Sequence, residues 1–128
     1  MPSPKILVDS SVWIDFFKYS RTSPLEAYLQ EDIIVTNDII LTELIPKLHH
    51  EKRTEIIEGL EALEKVKLDI DWELIRHLQK LNLKNGINKV GIPDLIIINQ
   101  VIEENLTLYS KDKHFRLMQT ILKFELIS

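Results

Sequence analysis

The stretch Lys5-Ile6-Leu7-Val8-Asp9-Ser10-Ser11-Val12-Trp13-Ile14 decides how this chain is read. A strand with one wet face alternates apolar and polar residues, whereas a strand covered on both faces is a continuous apolar run. Ile6-Leu7-Val8 is of the second kind and closes on an acid, so a buried strand at the middle of a parallel sheet is expected. Ser10 or Ser11 can cap a following helix through about Tyr19, with Val12, Trp13, Phe16 and Phe17 on its apolar side.

The same order of strand and helix recurs downstream. Ser23-Pro24 opens a short helix through Leu29, with proline in the first turn, where no backbone donor is needed. Residues 33–36 form the second strand. Asp38 is a candidate cap for the next helix, whose apolar positions Ile40, Leu41, Leu44, Ile45 and Leu48 recur at helical spacing. Pro46 falls inside that pattern and is expected to kink or break it. Residues 51–65 read as a further helix and residues 66–68 as a short strand. Asp71 caps a helix to about Leu83, with Gly86 as terminator and Trp72 and Ile75 in the core. Pro93-Asp94 begins a very apolar helix, residues 106–109 a strand, Asp112 a helix to about Leu122, and residues 124–127 a closing strand. Such alternation predicts one α/β domain over residues 1–128, with a central parallel sheet covered on both faces.

At 128 residues the chain is long enough for a substantial core, and 45% hydrophobic with 28% charged residues is an ordinary globular balance. With no cysteine, disulfides and thiolate-bound zinc are excluded. The longest apolar run, from Leu95 to Ile98, is far too short to span a membrane, and the N-terminus lacks the apolar stretch of a signal peptide. A cytoplasmic protein is therefore expected. The net charge of −4 has the wrong sign for a phosphate binder, since such affinity usually comes from Lys and Arg. A carboxylate cluster that takes up divalent cations accounts for it.

Four acids stand at element ends or on an apolar helix. Asp9 follows the first strand and Asp112 the strand at 106–109, while Asp94 lies at a helix start. Residues just beyond the carboxyl ends of parallel strands gather along one edge, where ligands bind. Glu43 lies among Ile39, Ile40, Leu44 and Ile45, where an unpaired charge is costly. Each acid alone reads equally as a helix cap or a rim residue. Together they would repel unless a cation sat among them, and oxygen donors without cysteine favour magnesium or manganese. Such a site suits phosphodiester hydrolysis.

The motifs resemble a known family. Val8-Asp9-Ser10-Ser11-Val12-Trp13-Ile14 is similar to the opening motif of PIN domains, especially VapC-type toxins of bacterial toxin–antitoxin pairs. Ile40-Leu41-Thr42-Glu43-Leu44 resembles their second motif and Ile92-Pro93-Asp94-Leu95-Ile96-Ile97 the third. Leu108-Tyr109-Ser110-Lys111-Asp112-Lys113-His114-Phe115 resembles the fourth. The resemblance implies a three-layer α/β/α sandwich with four to five parallel strands and a Mg2+- or Mn2+-dependent endoribonuclease acting on structured RNA. It also implies a homodimer and a cognate antitoxin that occludes the site, with Trp13, Phe16 and Phe17 as candidate groove residues. By position, Asp9, Glu43, Asp94 and Asp112 are the metal-binding and water-activating acids. Ser110 is their hydrogen-bonding support, and Ser10 or Ser11 orients Asp9. Two departures stand out: His114 occupies a place where many relatives carry another acid, and Pro46 lies one turn after Glu43.

Other features have plainer readings. His49-His50-Glu51 suggests metal ligands, but adjacent side chains diverge on a helix. Lys111, Lys113, His114 and Arg116 read either as a phosphate-binding run or as an ordinary charged helix face, and His114 as a solvated helix start. Lys80, Lys84 and Lys89 are candidates for a basic rim. Competing functions are an RNA-processing nuclease with no toxin role, a receiver-like signalling domain phosphorylated at Asp38, and a binding module without chemistry.

Overall fold

The computed structural model describes residues 4–19 and 23–128. Its strands are β1 (Ile6–Val8), β2 (Ile34–Thr36), β3 (Glu64–Lys65), β4 (Thr107–Tyr109) and β5 (Glu125–Ile127). They pair in parallel throughout, in the order β3-β2-β1-β4-β5. Ile6 lies beside Ile34 on one side and Thr107 on the other, so β1 is the central strand foreshadowed by its unbroken apolar run. Every residue of β1, β2 and β4 is buried, which requires cover on both faces of the sheet.

That cover comes from α1 (Ser10–Tyr19), α2 (Pro24–Gln30), α3 (Asp38–His50), α4 (Thr54–Glu61), α5 (Trp72–Lys84), α6 (Ile92–Glu103) and α7 (Lys113–Gln119). The fold is a three-layer α/β/α sandwich. In α6 every residue from Leu95 to Val101 is buried, which is why its sequence is apolar on all sides. From β1 the chain builds outward to β2 and β3, then crosses to β4 on the opposite flank. The strand order therefore reverses between β1 and β4, and their carboxyl ends frame the crevice where ligands bind in open parallel sheets.

Several local expectations are corrected. Pro46 does not break α3, which runs unbroken from Asp38 to His50. Proline there removes one donor, and the Thr42 carbonyl it would have served belongs to an exposed residue that water can reach. The cap of α3 is Asn37 rather than Asp38. The segment 51–65 is not one helix, because Lys52 turns the chain at φ 59° and α4 begins only at Thr54. The edge strand is Glu64–Lys65, two residues earlier than expected, and its exposed charged side chains protect a sheet edge. Trp72 is 51% exposed, since α5 leaves the core at its first residue, while Ile75 and Leu78 are buried. Helix α7 stops at Gln119. Gly86, at φ 75°, does follow α5 in the left-handed conformation that favours glycine.

A buried polar network the sequence did not announce anchors α3. Asn37 accepts from the Ile40 N–H at 2.9 Å and donates to Gln100 Oε1 at 2.8 Å. Gln100 in turn donates to the carbonyls of Val66 and Lys67, both at 3.3 Å. The network ties the end of β2, the start of α3, α6 and the edge strand together. Replacing Asn37 with alanine removes the cap and leaves Gln100 Oε1 unsatisfied inside the protein. We expect a loss of about 2 kcal/mol, read as a fall in Tm on thermal melting. An unchanged Tm would show the network to be dispensable.

Candidate active site

Asp9 follows β1 directly, 6% exposed, with its backbone N–H bonded to the Tyr109 carbonyl of β4 at 2.9 Å. Its Oδ2 accepts from the hydroxyls of Ser11 and Ser110, each at 2.8 Å. No protein donor reaches Oδ1 among the described residues, so that oxygen is open to a ligand. Of the two serines after Asp9, the structure selects Ser11 as the orienting one. Its hydroxyl is turned back onto the carboxylate and also accepts from the Lys111 N–H at 3.1 Å. Ser110 Oγ accepts from the Asp112 N–H at 3.0 Å, so one hydroxyl links two of the acids.

Asp112 caps α7, its Oδ1 accepting from the His114 N–H at 2.9 Å. His114 is not the solvated residue expected. It is half-buried, with Nδ1 2.9 Å from the same Oδ1, so the ring shares that oxygen and steers the carboxylate. Asp94 lies in the first turn of α6 and is half-buried. Burial, then the charges of Asp112 and Asp9, push its pKa up to about 6 against the opposing effect of His114. Glu43 is exposed rather than enclosed by the apolar face of α3. Its pKa is raised by desolvation, then by Asp9 and Asp94. Each of the four acids thus lies within the electrostatic field of at least one other, and Asp9 and Asp112, joined through Ser110, stand at the ends of β1 and β4.

Lys111 is not free for phosphate. Its ammonium pairs with Asp15, one turn beyond Ser11 on α1, while its backbone N–H is held by Ser11 itself. Two residues of one α1 face therefore clamp the loop that carries Ser110 and Asp112. The sequence reading missed this clamp, although the four-residue spacing of Ser11 and Asp15 was visible. Asp38 pairs with Lys65 at 3.2 Å on the exposed sheet edge. Among the described residues, His49 and His50 are exposed and gather no metal-ligand set.

Residues 6–120 match the PIN domain. The chain belongs to the PIN domain family. Among solved structures, this PIN domain is similar in fold to DNA-bound VapBC from Salmonella typhimurium, with a TM-score of 0.76 at 20% identity over 98% of both chains. VapBC2 from Rickettsia felis bound to a promoter fragment gives 0.75 at 17% identity, covering 95% of this chain and 96% of that one. FitAcB from Neisseria gonorrhoeae gives 0.68 at 18%, covering 96% of each. A LysW-lysine/LysW-ornithine hydrolase from Sulfurisphaera tokodaii is 27% identical over 94 residues, 70% of this chain. The chain spans only 27% of that curated relative's length, and at this identity the relative's reaction does not carry over.

A divalent cation fits the donor chemistry of this PIN domain, because its oxygens are hard carboxylates and the burial of Asp94, together with the charges of Asp112 and Asp9, disfavours the uncompensated anion there. Among the described residues no three acidic or histidine side chains are gathered tightly enough to grip an ion.

Proposed function

We propose that this chain is a Mg2+- or Mn2+-dependent endoribonuclease that hydrolyses phosphodiester bonds in structured RNA. In this reading it serves as the toxin of a toxin–antitoxin pair, acting in the cytoplasm. The observation that carries the reading is the Ser110 hydroxyl, which donates to Asp9 Oδ2 at 2.8 Å and accepts from the Asp112 N–H at 3.0 Å, so that acids from two distant segments share one support. A cation bound there supplies charge neutralisation at the phosphate and lowers the pKa of an attacking water. Asp9, fixed by two hydroxyls, presents a pre-oriented carboxylate, and Asp94 and Asp112 complete the acidic wall. In this reading Glu43, solvent-facing and with its pKa raised by desolvation and then by Asp9 and Asp94, is the group that would accept the proton of the attacking water. Ser110 holds Asp9 and the loop of Asp112 in fixed relation.

The motif resemblance to VapC-type toxins, alongside the fold likeness to VapBC structures, supports a cognate antitoxin, and the motif resemblance alone implies a homodimer. Against the receiver-like reading, Asp38 pairs with Lys65 at the sheet edge. Incubating total RNA with the purified chain tests the chemistry. Cleavage is expected with Mg2+ or Mn2+ and none with EDTA. Cleavage that survives the chelator would remove the metal-nuclease reading. Induced expression should arrest growth, relieved by the product of a neighbouring small gene. Normal growth at high levels of active enzyme would instead assign it to RNA processing.

A further inference from the structure

A cleft of about 310 Å3 opens between α1 and α3, with Glu43 of the acidic cluster at one end. In a chain of net charge −4, three cations line it: Lys18 of α1, Lys47 of α3, and Arg53 of the turn into α4. None of the three has a carboxylate within ion-pair distance among the described residues. Lys111, beside Asp112, is neutralised by Asp15. Positive charge has therefore been left unpaired on the Glu43 side of the cluster.

Arg53 is also held in place. Its guanidinium lies 5.9 Å from the centroid of the Phe17 ring, and Phe17 stacks on the buried Trp13 at 5.7 Å. A planar fork resting on a rigid aromatic stack loses little freedom when it bonds an anion, and phosphate matches its geometry. With Arg53 against Phe17 and Trp13 stacked on that ring as well, Phe17 is occupied by protein partners, so the cleft suits a backbone phosphate better than a stacked base. Lys47 lies one helical turn, about 6 Å, beyond Glu43 on the same row of α3. A strand whose scissile phosphate sat over the acids would bring a neighbouring phosphate to this row. Glu51, one turn beyond Lys47 at the C-cap of α3, lines the cleft as well, so the three cations act there against two carboxylates, Glu43 and Glu51.

We infer that this cleft is a phosphate subsite for the RNA strand, in which Arg53, Lys47 and Lys18 hold a backbone phosphate flanking the bond to be cut. The inference rests on the nuclease reading. It assigns the three cations a binding role that is independent of base sequence and sets the register of the strand over the carboxylates.

The test uses the full chain carrying Asp94→Asn, to suppress cleavage, and a fluorescein-labelled single-stranded RNA of about ten nucleotides. Adding Lys47→Gln with Arg53→Gln should weaken binding at least about tenfold. It should also lower the slope of log affinity against log salt by about 1.4, as two lost single-strand phosphate contacts require. Arg53→Lys should keep the slope and lose only part of the affinity. Lys5→Gln with Lys123→Gln, at the amino ends of β1 and β5 away from the acids, is the charge-matched control, expected within about twofold of the parent. In the cleavage-competent chain the cleft variant should raise KM with kcat nearly unchanged. Unchanged affinity and slope, in a chain that still cleaves RNA with Mn2+, would overturn the subsite and leave the nuclease reading standing. So would a cleft variant that binds RNA normally but loses a protein partner. A parent chain that neither binds nor cleaves RNA would sink both.

Discussion

Asp9→Asn should lower metal-dependent RNA cleavage at least about a hundredfold while leaving the fold intact. The substitution spares the packing, because asparagine has nearly the shape of aspartate and its carbonyl oxygen can still accept from Ser11 and Ser110. What changes is the other end of the group. The amide then turns two N–H donors toward the place where Oδ1 offered lone pairs and a negative charge. A cation loses a ligand and meets a repulsive dipole. Replacing a residue that merely supports a metal ligand already costs about 10–100-fold, so loss of a ligand should exceed that range. Cleavage of total RNA by equal amounts of parent and variant, with circular dichroism as the folding control, decides it. Parental rates with Mg2+ would exclude Asp9 from the chemistry.

How much of this site could be read from the chain depends on which physical signal each part leaves. Continuous apolar runs and helical spacing are local, so β1 and α6 were legible, and with them the strand end that carries Asp9 and the helix start that carries Asp94. Whether the acids meet depends on strand order, which no local pattern encodes; only the order of motifs along the chain pointed to it. Glu43 shows the limit of inference from neighbours. It sits among isoleucines in sequence, yet a helix places successive residues about 100° apart, and its side chain emerges on the exposed rim. Asn37 and Gln100 left no trace at all, because a buried amide pair far apart in sequence looks like two ordinary polar residues. Trp72 misled for the opposite reason: correct helical spacing says which side a residue faces, not whether the core extends far enough to cover it. Element starts moved by one residue at α3, where Asn37 rather than Asp38 is the cap, and by three at α4, where Lys52 turns the chain at φ 59°.

Asp94→Asn should abolish cleavage as Asp9→Asn does, and at the same time make the cation-free protein more stable at pH 7 and above. The cause is the pKa of about 6, raised by burial and by the charges of Asp112 and Asp9. Between roughly pH 4 and 6 the folded chain keeps a proton on Asp94 that the unfolded chain has released, so this group's contribution to stability declines as pH rises through that window. Above it, both states are ionised and the folded one bears the full repulsion. The shift corresponds to at most about 3 kcal/mol, and solvent around the half-exposed carboxylate should reduce this to about 1–2 kcal/mol. Asparagine has no charge to repel, so the variant should melt several degrees higher at pH 7.5 without metal, and the gap should close toward pH 4. Saturating Mg2+ should reverse the ranking. At a hundred times its Kd a cation adds about 2.7 kcal/mol to a protein that binds it only when folded, and the variant would forgo most of that gain. Melting curves of both proteins at pH 4.5 and 7.5, with and without Mg2+, contain the whole prediction. If parent and variant melted together under all four conditions, Asp94 would neither strain the cation-free fold nor contribute to holding a metal. A residue that destabilises the empty protein and stabilises the loaded one has been placed for its ligand rather than for the fold.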